Sequence, residues 1–126
     1  MLELNPKNLD VKTDLGVCYT ETSQPMKGIL LLREVTTENP KHENAQMNLG
    51  LLSMKSGQYD KAIDRFLKVL EINPSRSEIY LYLGESYLQK GQKRDAIDNF
   101  EKYIKTGKDP VMVTQIQEYI KELKRS

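Results

Sequence analysis

The chain has 126 residues, a formal net charge of +1 at pH 7, 38% hydrophobic residues and 29% charged residues. Such a composition is typical of a soluble globular or repeat protein and excludes an intrinsically disordered chain. Neither half of the sequence is strongly basic, so a nucleic-acid partner is not predicted. The chain has no run of about 18 apolar residues, so direct membrane insertion by this segment is not predicted.

The first residues, MLELNP, nearly repeat the string LEINP at Leu70–Pro74. Because the later string ends a helical unit, the first string is interpreted as the end of a preceding unit. We therefore expect the chain to be a fragment of a longer protein. The alternative is a natural start at Met1.

Three helix–turn–helix units are predicted, over about residues 8–40, 41–74 and 75–108. Pro25 suits the first position of a second helix, where its missing N–H is not needed. Gly57 and Gly91 are expected to end the first helices of units two and three. Ser75–Glu78 reads as a capping box, and Asp64 and Lys68 as a helical ion pair.

A terminal helix is predicted over about residues 110–124, within one domain spanning 1–126. Asp109 suits its N-cap and Pro110 its first helical position. Apolar residues recur at helical spacing from Val113 to Leu123. One apolar face opposite a polar one is typical of a helix that caps a repeat array.

Residues of several classes recur at a spacing of 34. They are Pro6, Pro40 and Pro74; Leu15-Gly16, Leu49-Gly50 and Leu83-Gly84; Gly28, Ala62 and Ala96; and Leu32, Phe66 and Phe100. In this the chain resembles the tetratricopeptide repeat (TPR) family, and in particular bacterial-type TPR scaffolds. The resemblance implies an all-α, right-handed α-solenoid of three helix–turn–helix repeats with a C-terminal capping helix.

The signature residues also have physical roles. A glycine inside a helix costs about 1 kcal/mol relative to alanine, so Gly50 and Gly84 predict close helix crossings. We expect Ala62 and Ala96 to supply the matching small surface. Phe66 and Phe100 are expected to fill the space between repeats.

Nothing in the sequence predicts catalysis, a cofactor or a metal site. His42 is interpreted as a solvated surface residue, and Cys18 as a buried, inert thiol. No phosphate-binding glycine loop and no metal-ligand spacing occurs. The chain is therefore expected not to be an enzyme.

The first helix of unit two is apolar on two sides. Ala45 and Leu49 share one stripe, while Met47, Leu51 and Met54 form a second on nearly the opposite side. In the resembling family, first helices line a concave surface that binds peptides. The second stripe therefore predicts a peptide groove, although it could instead pack against neighbouring helices.

We call this predicted groove the inner face. Carried over from the family pattern, its residues are Thr13, Val17, Thr20, Met47, Asn48, Leu51, Met54, Lys55, Leu81, Tyr82, Glu85 and Leu88. Some family members bind a chain-terminal carboxylate through basic and amide groups. At the matching positions only Asn48 fits, since Thr13, Val17, Glu78 and Tyr82 occupy the others. Binding of acidic C-terminal tails at the inner face is therefore disfavoured.

The expected function is a protein–protein interaction scaffold that binds an apolar, extended or helical peptide in the concave groove. The alternative is a structural or self-association segment of a larger envelope-associated protein, with a homodimer as a possible state. The sequence leaves the compartment open. It could be cytoplasmic, or periplasmic and membrane-anchored through a segment preceding Met1.

Overall fold

The computed structural model describes residues 8–126, which fold into seven α-helices without a β-strand. The MLELNP string and Pro6 lie outside the described residues. The helices are α1 (Leu9–Thr20), α2 (Pro25–Glu38), α3 (Glu43–Lys55), α4 (Tyr59–Ile72), α5 (Glu78–Gln89), α6 (Lys93–Thr106) and α7 (Pro110–Arg125). No helix among the described residues is long and apolar enough to cross a bilayer.

The helices pair as the repeat predicts. The hairpins α1–α2, α3–α4 and α5–α6 each pack closely, and the second helix of each contacts the first helix that follows. The last second helix, α6, contacts α7 instead. The predicted right-handed α-solenoid with a terminal helix is confirmed.

Helix ends follow local chemistry. The Asn8 side chain accepts from the backbone N–H groups of Asp10 and Val11, and that of Asp109 accepts from Val111 and Met112. These bonds satisfy donors that have no partner within a helix. Pro25 begins α2 as predicted.

The tight turns inside the second and third hairpins depend on glycine. Gly57 has φ +80° and Gly91 has φ +79°, and no other described residue has positive φ. L side chains rarely adopt this left-handed conformation, whereas glycine does so readily. Both predicted helix ends are therefore confirmed.

The capping box predicted at Ser75–Glu78 is wrong. Helix α5 begins at Glu78 with Ser77 as N-cap, and the Ser77 side chain makes no capping hydrogen bond. The Ser75 hydroxyl instead donates to Asn73 at 2.7 Å. Glu78 forms an ion pair with Arg76, since a guanidinium attracts a carboxylate more strongly than a neutral amide does.

Phenylalanine rings determine how closely the hairpin helices cross. A methyl group built on Gly50 would lie 2.6 Å from the Phe66 ring, and one on Gly84 would lie 2.5 Å from the Phe100 ring. Ala62 and Ala96 are both fully buried, and their role as the matching small surface stays a prediction. Phe66 clusters with Ile79 and Leu83 of the next hairpin, confirming its place between repeats.

The two helices of the first hairpin, α1 and α2, cross even more closely. A methyl group on Gly28 would overlap the Gly16 carbonyl oxygen, so here backbone meets backbone. The replacement of alanine by Gly28 thus has a steric reason.

Leu15 is 43% exposed, while its repeat equivalents Leu49 and Leu83 are 5% and 1% exposed against preceding helices.

Helix α7 completes the third core cluster. Ile120 is buried beside Ala96 and Phe100, and the Tyr119 ring lies 5.6 Å from the Phe100 ring in an edge-to-face arrangement. Ile116 and Leu123 pack against the same cluster. The terminal helix therefore covers the apolar face of the last hairpin.

Replacing Phe66 by alanine should lower the free energy of unfolding by about 3–5 kcal/mol, because a fully buried ring leaves a cavity shared by two hairpins. Leu67→Ala is the matched control, since Leu67 is adjacent and 44% exposed. Urea denaturation measures both. Equal effects of the two changes would contradict a spine built on Phe66.

Deleting residues 111–126 should expose Phe100 and Ala96 to water and cause aggregation or fraying of the third hairpin, because a repeat array needs its end covered. Size-exclusion chromatography and hydrogen exchange at α5 and α6 measure the change. A truncated chain that stays monomeric and equally stable would show that α7 is not a cap.

Candidate peptide-binding surface

The inner face divides among the three hydrophobic clusters. Met47, Leu51, Met54 and Tyr82 pack around the cluster that contains Phe66 and Ile79. Leu81 and Leu88 pack against the cluster at Phe100, and Val17 against the cluster at Leu32 and Leu49. The first helices α1, α3 and α5 contact one another in sequence, so these patches are neighbours.

The apolar residues of this surface are neither fully buried nor fully exposed. Met47, Leu51, Met54, Leu81 and Leu88 all have intermediate accessibility. These side chains therefore pack between hairpins and also present an edge to solvent. Whether a peptide binds there stays a prediction.

Thr13 does not lie on the surface, which corrects its assignment to the groove. It is 3% exposed, and its hydroxyl donates to the Leu9 carbonyl at 2.7 Å. Its repeat equivalents are Met47 and Leu81. A threonine that bonds its own helix can be buried without leaving its hydroxyl unpaired.

The polar residues of the inner face differ in their hydrogen bonds and in their exposure to solvent. The Asn48 amide donates to the Asn44 carbonyl at 2.8 Å, within its own helix. Thr20 likewise donates to the Val17 carbonyl. Burial, and then the nearby Glu78 carboxylate, raises the pKa of Tyr82, whose ring centroid lies 5.4 Å from that of Phe66. Glu85 is half-buried, and Lys55 is exposed.

His42 is a structural residue and not the solvated one expected. Its Nδ1 accepts from the Ala45 backbone N–H at 3.2 Å, and its Nε2 lies 2.8 Å from the Asp10 carboxylate. The neutral tautomer with hydrogen on Nε2 satisfies both bonds. This imidazole caps α3 and links it to α1.

Cys18 is exposed, which corrects the expectation of a buried thiol. Its repeat equivalents are Leu52 and the buried Ser86. Among residues 8–126, no group of three His, Cys, Asp or Glu side chains is arranged to hold a metal ion.

The sequence interpretation missed a large cleft on the other side of α3. A cavity of about 1070 Å³ lies between α2 and α4, lined from α3 by Leu49, Leu52 and Lys55. We call it the α2–α4 cleft. Of the predicted groove residues, only Thr20 and Lys55 line it. A difference in charge between equivalent positions 34 residues apart is the sequence signal that could have indicated this cleft.

Known structures have the same architecture. A point mutant of MamA is 28% identical over 83% of this chain and 77% of its own, with a TM-score of 0.73. MamA from AMB-1 is 31% identical over 78% of this chain and 58% of its own, with a TM-score of 0.69. The type III secretion translocator chaperone SycD of Yersinia enterocolitica is 16% identical over 97% of this chain and 87% of its own, with a TM-score of 0.84. At this identity the similarity is one of fold.

This chain spans 56% to 60% of the length of three of the MamA structures that it matches. A search of curated protein sequences gives no match.

These features define a TPR-like helical repeat protein. A family model described as "Regulator of microtubule dynamics protein 1-3" matches residues 45–124. The chain belongs to that family, whereas its TPR resemblance is one of fold.

Changing Leu51 to glutamate should lower the free energy of unfolding by about 1–3 kcal/mol, because its side chain packs on the core while one edge reaches water. Asn48→Glu is the control, since it adds the same charge to α3 beside the packed stripe. We expect that change to stay within about 0.5 kcal/mol. Urea melts compare them. If the Leu51→Glu variant fails to fold, the Leu51 side chain is fully buried. If its stability is unchanged, the Leu51 side chain does not pack on the core.

Proposed function

We propose that this chain is a non-enzymatic scaffold that binds an apolar segment of a partner protein, extended or helical, on its inner face. The partial exposure of Met47, Leu51, Met54, Leu81 and Leu88 carries the proposal. Helix α3 contacts both α1 and α5, and this packing leaves the apolar edges partly exposed.

The side-chain chemistry suits an adaptable surface. Methionine is unbranched and polarizable, so Met47 and Met54 can adjust to differently shaped apolar groups. Glu85 and Tyr82 flank the stripe and can bind polar groups at its margin. An apolar stripe with polar borders is the arrangement that a helix or strand uses when it docks in a groove.

The hydrogen bonds of His42 support a function without catalysis. Both ring nitrogens of His42 are engaged in holding α3 and contacting Asp10. A general base must reach the group from which it takes a proton, and His42 is already occupied.

The names of the related proteins support a protein partner. The family is named for regulators of microtubule dynamics, and SycD is described as a translocator chaperone. Both descriptions concern actions on other proteins.

Self-association is the second candidate function. Met26, Leu30 and Leu15 are exposed on the first hairpin, which is more apolar surface than the other hairpins display. A dimer could cover this patch, the inner face, or both. Exposed apolar patches frequently mark interaction surfaces.

Methyl-labelled methionine can separate these functions, because the chain has five methionines. Adding an apolar peptide selected by display should shift the Met47 and Met54 methyl resonances and leave Met26 and Met112 unchanged. Leu51→Lys should weaken binding by about tenfold or more, since a central anchor carries much of the affinity. Val111→Lys is the charge-matched control, since it adds the same charge at an apolar residue that is 67% exposed and outside the inner face.

Dilution of the protein without peptide tests the alternative. Shifts of Met47, Met54 or Met26 that depend on protein concentration would favour self-association. Peptide binding that shifts only Met26 or Met112 would overturn the inner-face proposal.

A further inference from the structure

The α2–α4 cleft separates two helices that the repeat places side by side. Within the described chain, no Cα atom of α2 lies within 8 Å of one in α4. Helix α3 closes the bottom, where Leu49 and Leu52 meet Ile29 of α2. The volume of about 1070 Å³ is as large as sites that hold sizeable ligands.

The walls of the cleft are strongly cationic. Its basic residues are Arg33, Lys55, Lys61, Arg65 and Lys68, and its acidic residues are Asp64 and Glu71. This local excess of three positive charges contrasts with +1 for the whole chain. Among the ion pairs of residues 8–126, none involves these five cations. The predicted Asp64–Lys68 pair does not form.

Arg65 is held in the cleft by a neutral partner. Its Nη1 donates to Oε1 of Gln46 at 2.8 Å, and the amide of Gln46 donates to the Pro40 carbonyl at 2.9 Å. Gln46 is fully buried. The guanidinium is therefore fixed in position without a carboxylate to compensate its charge.

Arg33 faces Arg65 from the opposite helix. Burial, and then the positive charge of Arg33, lowers the pKa of the Arg65 guanidinium. Two like charges across a cleft repel each other, and an oxyanion between them would attract both and offset that repulsion. Guanidinium groups bind carboxylates through paired hydrogen bonds.

The fold does not require this charge pattern. At the equivalent positions 34 residues later, beside the gap between α4 and α6, the chain has Leu67, Gln89, Asp95, Asn99 and Lys102. Five cations are thus replaced by one cation, one anion and three uncharged residues. The same packing is built without the positive cluster, so the cluster calls for another explanation.

We propose that the α2–α4 cleft is a second binding site, which takes an acidic segment of a partner protein with carboxylates on Arg33, Arg65 and Lys68 and an apolar side chain on Leu49 and Leu52. The charge of the walls selects the acidic segment, and the apolar floor favours one that also has hydrophobic residues. The site lies across α3 from the inner face and does not depend on a peptide binding there.

Selection from a display library of random 12-residue peptides tests the proposal without assuming a sequence. The protein is the bait, and the double variant Arg33→Glu/Lys68→Glu is used for counter-selection. Enriched peptides should be acidic with interspersed apolar residues. Enrichment of neutral or basic peptides would overturn the proposal.

Affinity measurements on the enriched peptide provide a matched control. Lys68→Glu should weaken binding by about tenfold or more, since charge reversal replaces an attraction by a repulsion. Lys102→Glu makes the same change at the equivalent exposed position 34 residues later and should leave the affinity unchanged. Raising the salt concentration should weaken binding to the parent protein.

Three results would contradict the cleft as the site. If Lys68→Glu and Lys102→Glu weaken peptide binding equally, the peptide is attracted by the overall charge of the protein and not by the cleft. Weakening by Leu51→Lys but not by Lys68→Glu would place the acidic peptide on the inner face. Displacement of the peptide by low millimolar inorganic phosphate would assign the cleft to phosphate. Unchanged melting temperatures for the lysine variants confirm that the fold is intact.

Discussion

Contact between a phenylalanine ring and a helical glycine sets the geometry of the second and third hairpins. The Phe66 and Phe100 rings lie where Gly50 and Gly84 have no side chain. A methyl group there would push the helices apart, and the ring would lose its packing against Ile79 or Tyr119 in the next element. Because interiors are densely packed, one such contact couples the crossing within a hairpin to the stacking between hairpins.

Polar contacts at the ends of the helices align neighbouring hairpins. Glu43 accepts from Asn73 at 2.9 Å and from Arg76 at 3.0 Å, and Arg76 also donates to Asn44 at 2.9 Å. Except for Asn44, which is exposed, these groups are partly buried. Partly buried ion pairs with several hydrogen bonds are weakened less by solvent than exposed pairs. The contacts join residues about one repeat apart. They therefore support the register of the array, while the aromatic rings supply its core.

Helix α3 separates two surfaces of different chemistry. Its Met47, Leu51 and Met54 side is apolar and half-buried, and its Leu49 and Leu52 side leads to the cationic cleft. Under the two proposals made above, the chain would hold two partner segments at once, or one longer segment that passes around its edge. Linked binding of this kind raises affinity through effective concentration without a new contact.

The sequence by itself determined the number of hairpins, the helix ends at Gly57, Gly91 and Asp109, and the cap formed by α7. The hairpins and their glycine turns depend on residues that recur at a spacing of 34, whereas α7 depends on its N-cap and on helical periodicity within its own segment. The tertiary structure decided which apolar residues stay exposed. Thr13 is buried and Cys18 is exposed, because burial depends on the helix that lies opposite. Only the structure brought Arg33 and Arg65 to opposite walls of one cleft, since helical periodicity describes a single helix and not the gap between two.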